Sequence, residues 1–434
     1  MEGVAEALEA AFEAIKLHLE RGISLKSGLY SVRRGKRVGV ASLRLARRLL
    51  HVYAVNRMRA RAILEKALTD EISEDSRIIL ELMISALLAG LNLGGLEELI
   101  PRLRSIMAER WPENIEAWIG IIRAVDEGVV ETPEAETYPR WFIKLLERIL
   151  GRSEASRLIK FQDERPPPTY ISLNTIKFDE ERILEILERD GIKLSPDKRL
   201  EGIYLVERVE ETRNLVKHAR KSLIMIQDLS SYYAVEAMNP KPGSIILDVC
   251  AAPGAKTILI SIKMRDKGTV ISIDSSINRL KTHLRRVKRA GITIVHDILA
   301  DATEPLPLRI EADAVLVDPP CSSTGLFWRE PIYRWSVKPR HLRMFARLQR
   351  KILESSSRNV RTGGYLVYST CSIAVEENEL ILEDFLKLHP EFELDEIDPS
   401  LGSDGLRGMR LARRLYPHKD RCNGFFLAKL KRIW

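Results

Sequence analysis

Cysteine is scarce in this chain: there are four in 434 residues, scattered, with no CxxC pair and no Cys/His cluster. That pattern argues against a structural zinc site and against a disulfide framework, so no metal is expected. Glutamine is rarer still at three, while Arg, Lys, Glu, Ile and Leu abound, a bias that suits a thermophilic source. No apolar run is long enough to cross a bilayer. The best candidate, "IILELMISALLAGLNL" from Ile78, is short and interrupted by Glu81, so it reads as a core helix. The N-terminus carries too many glutamates for a signal or transit peptide. A cytoplasmic monomer is expected. Neither a P-loop nor a full GxGxxG occurs, which disfavours a site that cradles nucleotide phosphates.

What is present is ordinary for a soluble protein of two or three domains: 45% hydrophobic and 30% charged residues. A net charge of +8 and a pI near 9.2 favour an anionic partner. Residues 1–160 repeat apolar positions every three to four residues, as in "LEAAFEAIKLHLERG" and "SEDSRIILELMISALLAGL", and read as an all-helical domain. Ser73 is placed to cap the second of these. Between two helices "KSGLYSVRRGKR" reads as a basic loop with Lys26, Arg33, Arg34, Lys36 and Arg37, either solvated or contacting phosphates. "FQDERPPPTY" (161–170) breaks the pattern with three prolines and predicts a linker. A short mixed stretch follows over 165–225, with strands in "YISLNT" and "GIYLVE" and a helix in "FDEERILEILERDG", and it looks like a small α/β module.

From residue 226 to 434, strands and helices alternate. The runs "SIILDV" (244–249), "TVISID" (269–274), "ITIVH" (292–296), "DAVLVD" (313–318) and "GYLVYST" (364–370) are separated by amphipathic stretches starting near Lys256, Ser276, Lys338 and Glu376. Buried parallel strands with crossover helices predict an α/β fold, a doubly wound sheet covered on both faces. Such sheets bind ligands beyond the carboxyl ends of their strands, and the candidate residues all fall there.

The first strand runs into "DVCAAPGAKT" (248–257), whose small residues and Gly254 let the backbone turn tightly against a ligand. An ordinary tight turn would read the same way. Asp274 ends the second strand and Asp301 follows the third. Each alone is more often a cap or turn residue, but together they suit a ribose diol and an adenine edge. An adenosine-bearing cofactor without a pyrophosphate fits, and S-adenosyl-L-methionine answers that description. The fourth strand ends in "DPPCSSTG", where two prolines fix the directions of Asp318 and Cys321. The fifth ends in "STCS", around Cys371. Either cysteine alone reads as a small buried hydrophobe. Both at strand ends beside a cofactor site read as reactive groups. Phe327, Trp328 and Trp335 are candidates either for stacking on RNA or for the core.

These motifs resemble those of the Fmu/Sun-type RNA cytosine-5 methyltransferases. The similarity covers residues 165–434 through "RPPPTYISLNT", "IQDLSS", "DVCAAPGAKT", "SIDSS", "DAT", "VDPPCSSTG", "YSTCSI..EEN" and "NGFFLAKL". It implies a Rossmann-like class I methyltransferase sheet. It also implies that Cys250, Ala251, Ala252, Pro253, Gly254, Ala255 and Lys256, with Asp274, Asp301 and Asp318, bind S-adenosyl-L-methionine. By the same resemblance Asp318 faces the target cytosine, Cys371 is the nucleophile and Cys321 assists product release. The helical segment is similar, by helix content and position, to the NusB-like domain of bacterial members that methylate ribosomal RNA. RNA, ribosomal or transfer, is the implied partner. Two positions depart from the family pattern: Ala255 where glycine is usual, and Asn423 where aspartate is usual. An amino-group methyltransferase built on Asp318-Pro-Pro, and a non-catalytic RNA-binding assembly factor, remain open on the residues alone.

Overall fold

A computed structural model of the chain describes residues 2–21, 23–35, 38–68, 72–107, 115–128 and 137–434. It divides into two compact units.

The first unit runs to Leu146 and includes Glu330–Ser336, a segment from the middle of the C-terminal half. Its helices are α1 (Glu2–Arg21), α2 (Leu25–Gly35), α3 (Val40–Ala67), α4 (Glu74–Leu88), α5 (Leu96–Met107), α6 (Ile115–Asp126) and the start of α7 (Arg140–Leu150). The α1 helix buries Ala7, Ala10, Ala11 and Ala14, and such a smooth stripe lets neighbouring helices approach closely. The expected basic loop is helical up to Gly35. Leu25 and Leu29 of α2 are buried, and a Cβ at Gly28 would lie 3.0 Å from the Ala14 carbonyl oxygen, so glycine sets the contact between α1 and α2. Arg33 and Arg34 sit in its last turn, whereas Lys36 and Arg37 lie outside the described residues. Ser73 caps α4 as expected, accepting the Ser76 N–H at 3.2 Å. Glu81, fully buried on α4, accepts from Tyr53 Oη (3.2 Å), Arg57 Nε (3.1 Å) and Arg61 Nε (2.7 Å), which compensates its desolvation.

The second unit opens with α8 (Arg152–Glu164), so the break in the helical pattern falls at 165–169 rather than at 161. Next come β1 (Tyr170–Leu173), α9 (Glu180–Arg189), β2 (Ile192–Pro196), β3 (Ile203–Val209), α10 (Thr212–Arg220) and β4 (Ile224–Gln227). The strand order is β2-β3-β1-β4, entirely antiparallel, the ferredoxin-like βαββαβ arrangement. Ile171, Leu173, Ile183, Leu187 and Leu215 pack one face of this sheet against α9 and α10. The opposite face, through Tyr170, Ile203 and Met225, joins the core of the larger sheet. Neither face is therefore open for stacking bases as an RNA-recognition sheet would be.

The larger sheet contains β5 (Ile245–Val249), β6 (Thr269–Asp274), β7 (Val295–Leu299), β8 (Ala312–Val317), β9 (Val360–Thr370), β10 (Phe392–Asp395), β11 (Ser403–Asp404), β12 (Arg413–Leu415) and β13 (Phe425–Arg432). Its order is β11-β12-β13-β9-β8-β5-β6-β7, with β10 beside β13. The five strands from β9 to β7 are parallel and β13 runs antiparallel to β9. One face is covered by α11 (Leu229–Met238), α12 (Ala255–Lys263) and α13 (Ile277–Ala290), the other by α14 (Pro339–Ser357) and α15 (Glu379–Leu388). The third parallel strand starts three residues later than its apolar run predicts, because Asp266 captures the N–H groups of Thr293 and Ile294. Among the described residues no helix is long and apolar enough to cross a membrane.

Candidate active site

The strand order reverses between β5 and β8, and the candidate residues other than Asp301 lie around that switch point. Asp248, inside β5, is buried and accepts from Thr257 Oγ1 at 2.6 Å. Burial pushes its carboxyl up to about 7, against the hydrogen bond from Thr257. Cys250 follows β5 with φ +66°, a left-handed conformation uncommon for a non-glycine residue. Burial, then the carboxylates of Asp318 and Asp274, push its thiol up, so it is not a ready thiolate. Ala251 donates its N–H to the Ile273 carbonyl at 2.9 Å, and Asp274 receives the N–H groups of Ala252 (3.3 Å) and Ser276 (3.0 Å). The loop is thus pinned to the end of β6. From α13, Arg279 donates to the Ala252 carbonyl and Arg286 to that of Pro253.

Gly254 has φ +100°, and a Cβ there would meet the His283 ring at 2.7 Å. Its glycine is required by the protein's own packing. Ala255 begins α12 without a positive φ, so the glycine usual in the family is not demanded by the backbone here.

Lys256 donates to Asp318 Oδ2 at 2.5 Å, and Ser369 Oγ donates to Asp318 Oδ1 at 3.0 Å. Burial opposes the charge on Lys256, but Asp318, followed by Asp248 and Cys371, outweighs it and raises the ammonium's pKa. Asp301, two residues beyond β7, is exposed. Its carboxylate accepts the Thr303 N–H and hydroxyl at 2.9 and 2.8 Å, which hold it below the usual carboxylate range.

Cys321 and Cys371 lie beyond the ends of the adjacent strands β8 and β9. The Cys371 side chain, then burial, holds the Cys321 thiol well above its ordinary value. The Ser323 hydroxyl lies 3.7 Å from Cys371 Sγ. The two cysteine loops are stitched together. The Gly325 N–H donates to the Cys371 carbonyl, and the Gly424 N–H to that of Gly325, each at 2.9 Å. A Cβ on Gly325 would overlap the Gly424 carbonyl at 1.9 Å.

Sequence reasoning did not single out the centre of this stitching, Glu377, although the "EEN" stretch contains it. Its buried carboxylate accepts from Ser322 N (2.8 Å), Ser372 Oγ (2.7 Å) and Gln349 Nε2 (2.9 Å), and Gln349 also donates to the Pro320 carbonyl. Because Glu377 is engaged in this way, the segment expected to open a helix at Glu376 forms a short 3-10 turn, and α15 starts at Glu379. Asn378 joins in through Thr370 Oγ1 and the Ser372 carbonyl. The "IQDLSS" motif supplies Asp228, which accepts from the Asn423 N–H (3.0 Å) and Arg329 Nη2 (3.1 Å), while Asn423 Oδ1 receives Arg329 Nε at 3.3 Å. With asparagine at 423, Asp228 is the charged partner of Arg329.

The three aromatic candidates are packing residues. Phe327 and Trp328 are buried, with Trp328 Nε1 donating to the Arg165 carbonyl at 2.6 Å. Trp335 belongs to the helical unit, where it donates to the Ala54 carbonyl at 2.7 Å. Among the described residues no group of His, Cys, Asp or Glu could hold a metal ion.

A family model described as 16S rRNA methyltransferase RsmB/F matches residues 235–431. A probable ribosomal RNA small subunit methyltransferase B of Bacillus subtilis is 29% identical over 336 residues, 76% of this chain and 72% of that protein. A tRNA (cytosine(72)-C(5))-methyltransferase of Pyrococcus horikoshii is 27% identical, covering 69% of this chain and 98% of that protein. The crystal structure of PH0851 superposes with a TM-score of 0.79 at 26% identity over 98% of both chains. A methyltransferase homologue from Pyrococcus horikoshii gives a TM-score of 0.61 at 28% identity, over 68% of this chain and 95% of that one. Residues 235–431 thus carry the methyltransferase domain of the RsmB/F family, the group the Fmu/Sun-type motifs resemble.

Proposed function

We propose that this RNA cytosine-C5 methyltransferase acts on ribosomal RNA, with transfer RNA as the second reading, using S-adenosyl-L-methionine as donor and a covalent Cys371–cytosine intermediate. The observation that carries the reading is that Cys321 and Cys371 lie beyond the ends of adjacent strands, beside the Asp318–Lys256 pair. An amino-group methyltransferase has no use for two such cysteines. The likeness to the probable ribosomal RNA enzyme of Bacillus subtilis, over 76% of this chain, supports ribosomal RNA as the first reading.

The cofactor-binding residues are the loop 250–256, Asp274, Asp301 and Asp318. The donor set suits the cofactor. An ionised carboxylate offers about four acceptor positions, and the Asp274 carboxylate receives two backbone N–H groups, one on each oxygen, and pairs with Arg279 Nη2 at 3.4 Å. That leaves capacity for one further donor such as a ribose hydroxyl, and the loop has no phosphate cradle. When bound, S-adenosyl-L-methionine supplies an electrophilic sulfonium methyl group.

Carbon 5 of cytosine is a poor nucleophile. Addition of the Cys371 thiolate to carbon 6 forms an S–C bond and makes carbon 5 enamine-like, which lets it take the methyl group. Lys256 favours the thiolate electrostatically, and Cys321 stays protonated beside it. Asp318, oriented by Lys256 and Ser369, faces the amino edge or N3 of the base. After transfer, with Cys371 held as a thioether, the Cys321 thiol releases its proton to solvent and as thiolate takes the proton from carbon 5, and the S–C6 bond breaks to return the Cys371 thiolate. The target base must leave any helix to expose carbon 6. The helical unit, NusB-like in position, and the small α/β module serve RNA binding. With its sheet covered, the module would act through its helices and loops.

The test is asymmetric. Cys371→Ala should abolish methylation and form no adduct, whereas Cys321→Ala should attack, methylate and stall with RNA attached through denaturing electrophoresis. Trapping by Cys371→Ala instead would exchange the two roles, and adducts from neither would return the amino-group reading. Bisulfite sequencing of RNA from cells with and without the gene identifies the substrate.

A further inference from the structure

Basic residues are abundant in the second unit, but most are engaged. On α13, Arg279 and Arg286 hold the loop after β5. On α14, Arg350 pairs with Asp384. Of those without a carboxylate partner, three stand in a row on the outer face of α14. Arg340, Arg343, Met344 and Arg347 line a cleft of about 410 Å3, and all four are exposed, Met344 at 55%. Among the described residues no carboxylate pairs with any of the three arginines. Their spacing of three and seven residues keeps them on one helical face. At 1.5 Å rise per residue they extend over about 10 Å, comparable with roughly three phosphates at about 3.4 Å per strand step. The opposite face of α14 is buried, and its Gln349 grips the Pro320 carbonyl and Glu377 behind the cysteine loops. The cleft therefore sits on the helix that braces the Cys321 loop.

We propose that this cleft is a phosphate-binding site for the sugar–phosphate backbone of the RNA substrate, an inference that rests on the RNA-modifying function proposed above. Three guanidinium groups in a fixed row supply forked donors for phosphate oxygens, and Met344 between them supplies an apolar contact for ribose. The cleft contributes affinity and register, not sequence information.

The experiment uses the full chain with all three arginines replaced by alanine, Arg340→Ala, Arg343→Ala and Arg347→Ala, and a second variant with all three replaced by lysine. RNA affinity is read by fluorescence anisotropy with a small-subunit ribosomal RNA transcript and with bulk transfer RNA, from about 50 to 200 mM salt. The alanine variant should bind at least about tenfold more weakly, and its log–log salt slope should be shallower by about 2 to 3, the release expected from three phosphate contacts. Its KM for RNA should rise with kcat and cofactor affinity unchanged, and the lysine variant should recover the slope. An unchanged affinity and slope in the alanine variant would overturn the site while leaving the RNA-modifying function standing. Failure of the parent protein to bind either RNA would overturn that function, and the site with it. Competition by poly-L-glutamate as effective as by RNA would overturn the nucleic-acid assignment and mark an acidic protein as the partner.

Discussion

Replacing Glu377 tests whether one buried carboxyl holds both cysteine loops. In Glu377→Ala the Ser322 N–H loses its acceptor with no replacement, and Gln349 keeps only the Pro320 carbonyl. Ser372 is spared, because its hydroxyl already lies 3.2 Å from Ser322 Oγ and 3.0 Å from Thr324 Oγ1. One orphaned buried donor costs about 1–3 kcal/mol, and a half-lost second donor with the vacated volume adds a similar amount, so a loss of about 3 kcal/mol is expected. Glu377→Gln behaves differently. Its amide oxygen can accept from Ser322 and Gln349 while its NH2 donates to Ser372 Oγ, so the loss should stay within about 1 kcal/mol. Burial raises the Glu377 pKa, and the neutral amide avoids that desolvation cost. The raised pKa means that its stabilising protonation is present at low pH and lost as pH rises through the folded value. Urea denaturation gives the stabilities, and adduct formation in a Cys321→Ala background reports whether Cys371 stays aligned. An alanine variant within about 1 kcal/mol of the parent, or a glutamine variant as unstable as alanine, would refute the argument.

Three further outcomes follow from the same geometry. Asp274→Ala should weaken S-adenosyl-L-methionine by roughly tenfold to a hundredfold by calorimetry, from lost charge-assisted hydrogen bonds worth about 1.5–3 kcal/mol, and RNA affinity should change less. Arg33→Ala with Arg34→Ala, in the last turn of α2, should reduce RNA affinity and shallow its salt dependence; an unchanged slope would make that turn merely solvated. Asp248, pushed up to about 7 in the fold, binds more protons there than in the unfolded chain between about pH 4 and 7. It therefore subtracts stability as pH rises through that window, and Asp248→Asn should remove this slope in pH-dependent melting.

The strand ends were legible because buried parallel strands write largely apolar runs, and most polar residues appear where those runs stop. Asp274 is the last residue of β6, and Cys371 follows β9 directly. The α2 helix was not legible, since Gly28 and Gly35 count against a helix and only Leu25 and Leu29 mark its buried face. Its glycine serves a contact with α1 that no local window contains. The same holds for Trp335, whose partner Ala54 lies 281 residues away in the chain. The small module was half legible: β1, α9 and β3 announce themselves, while β2 carries only one fully buried residue, and β4 is four residues long. Glu377 sat inside a quoted motif, but its role depends on Ser322 and Gln349, brought to it by different elements.

The last prediction concerns when Cys321 becomes a base. Two adjacent thiolates repel, so ionisation of one thiol keeps the other protonated. Lys256 and the Ser323 hydroxyl stand beside Cys371, and Cys321 is raised first by Cys371 and then by burial. Once Cys371 is bonded to carbon 6 it is a neutral thioether. The largest cause of the Cys321 shift is then gone, at the stage when the proton on carbon 5 must be removed. The arrangement thus times the second cysteine by the bonding state of the first. Cys371→Ser, which places a hydroxyl that stays neutral at that position, should mimic the bonded state. The Cys321 thiol should titrate at lower pH in this variant than in the parent, though still above an ordinary cysteine because burial persists. Iodoacetamide labelling against pH, with mass spectrometry of the peptide containing Cys321, reads the change directly. An identical Cys321 profile in parent and variant would mean that burial alone sets its reactivity, and the timing argument would fail.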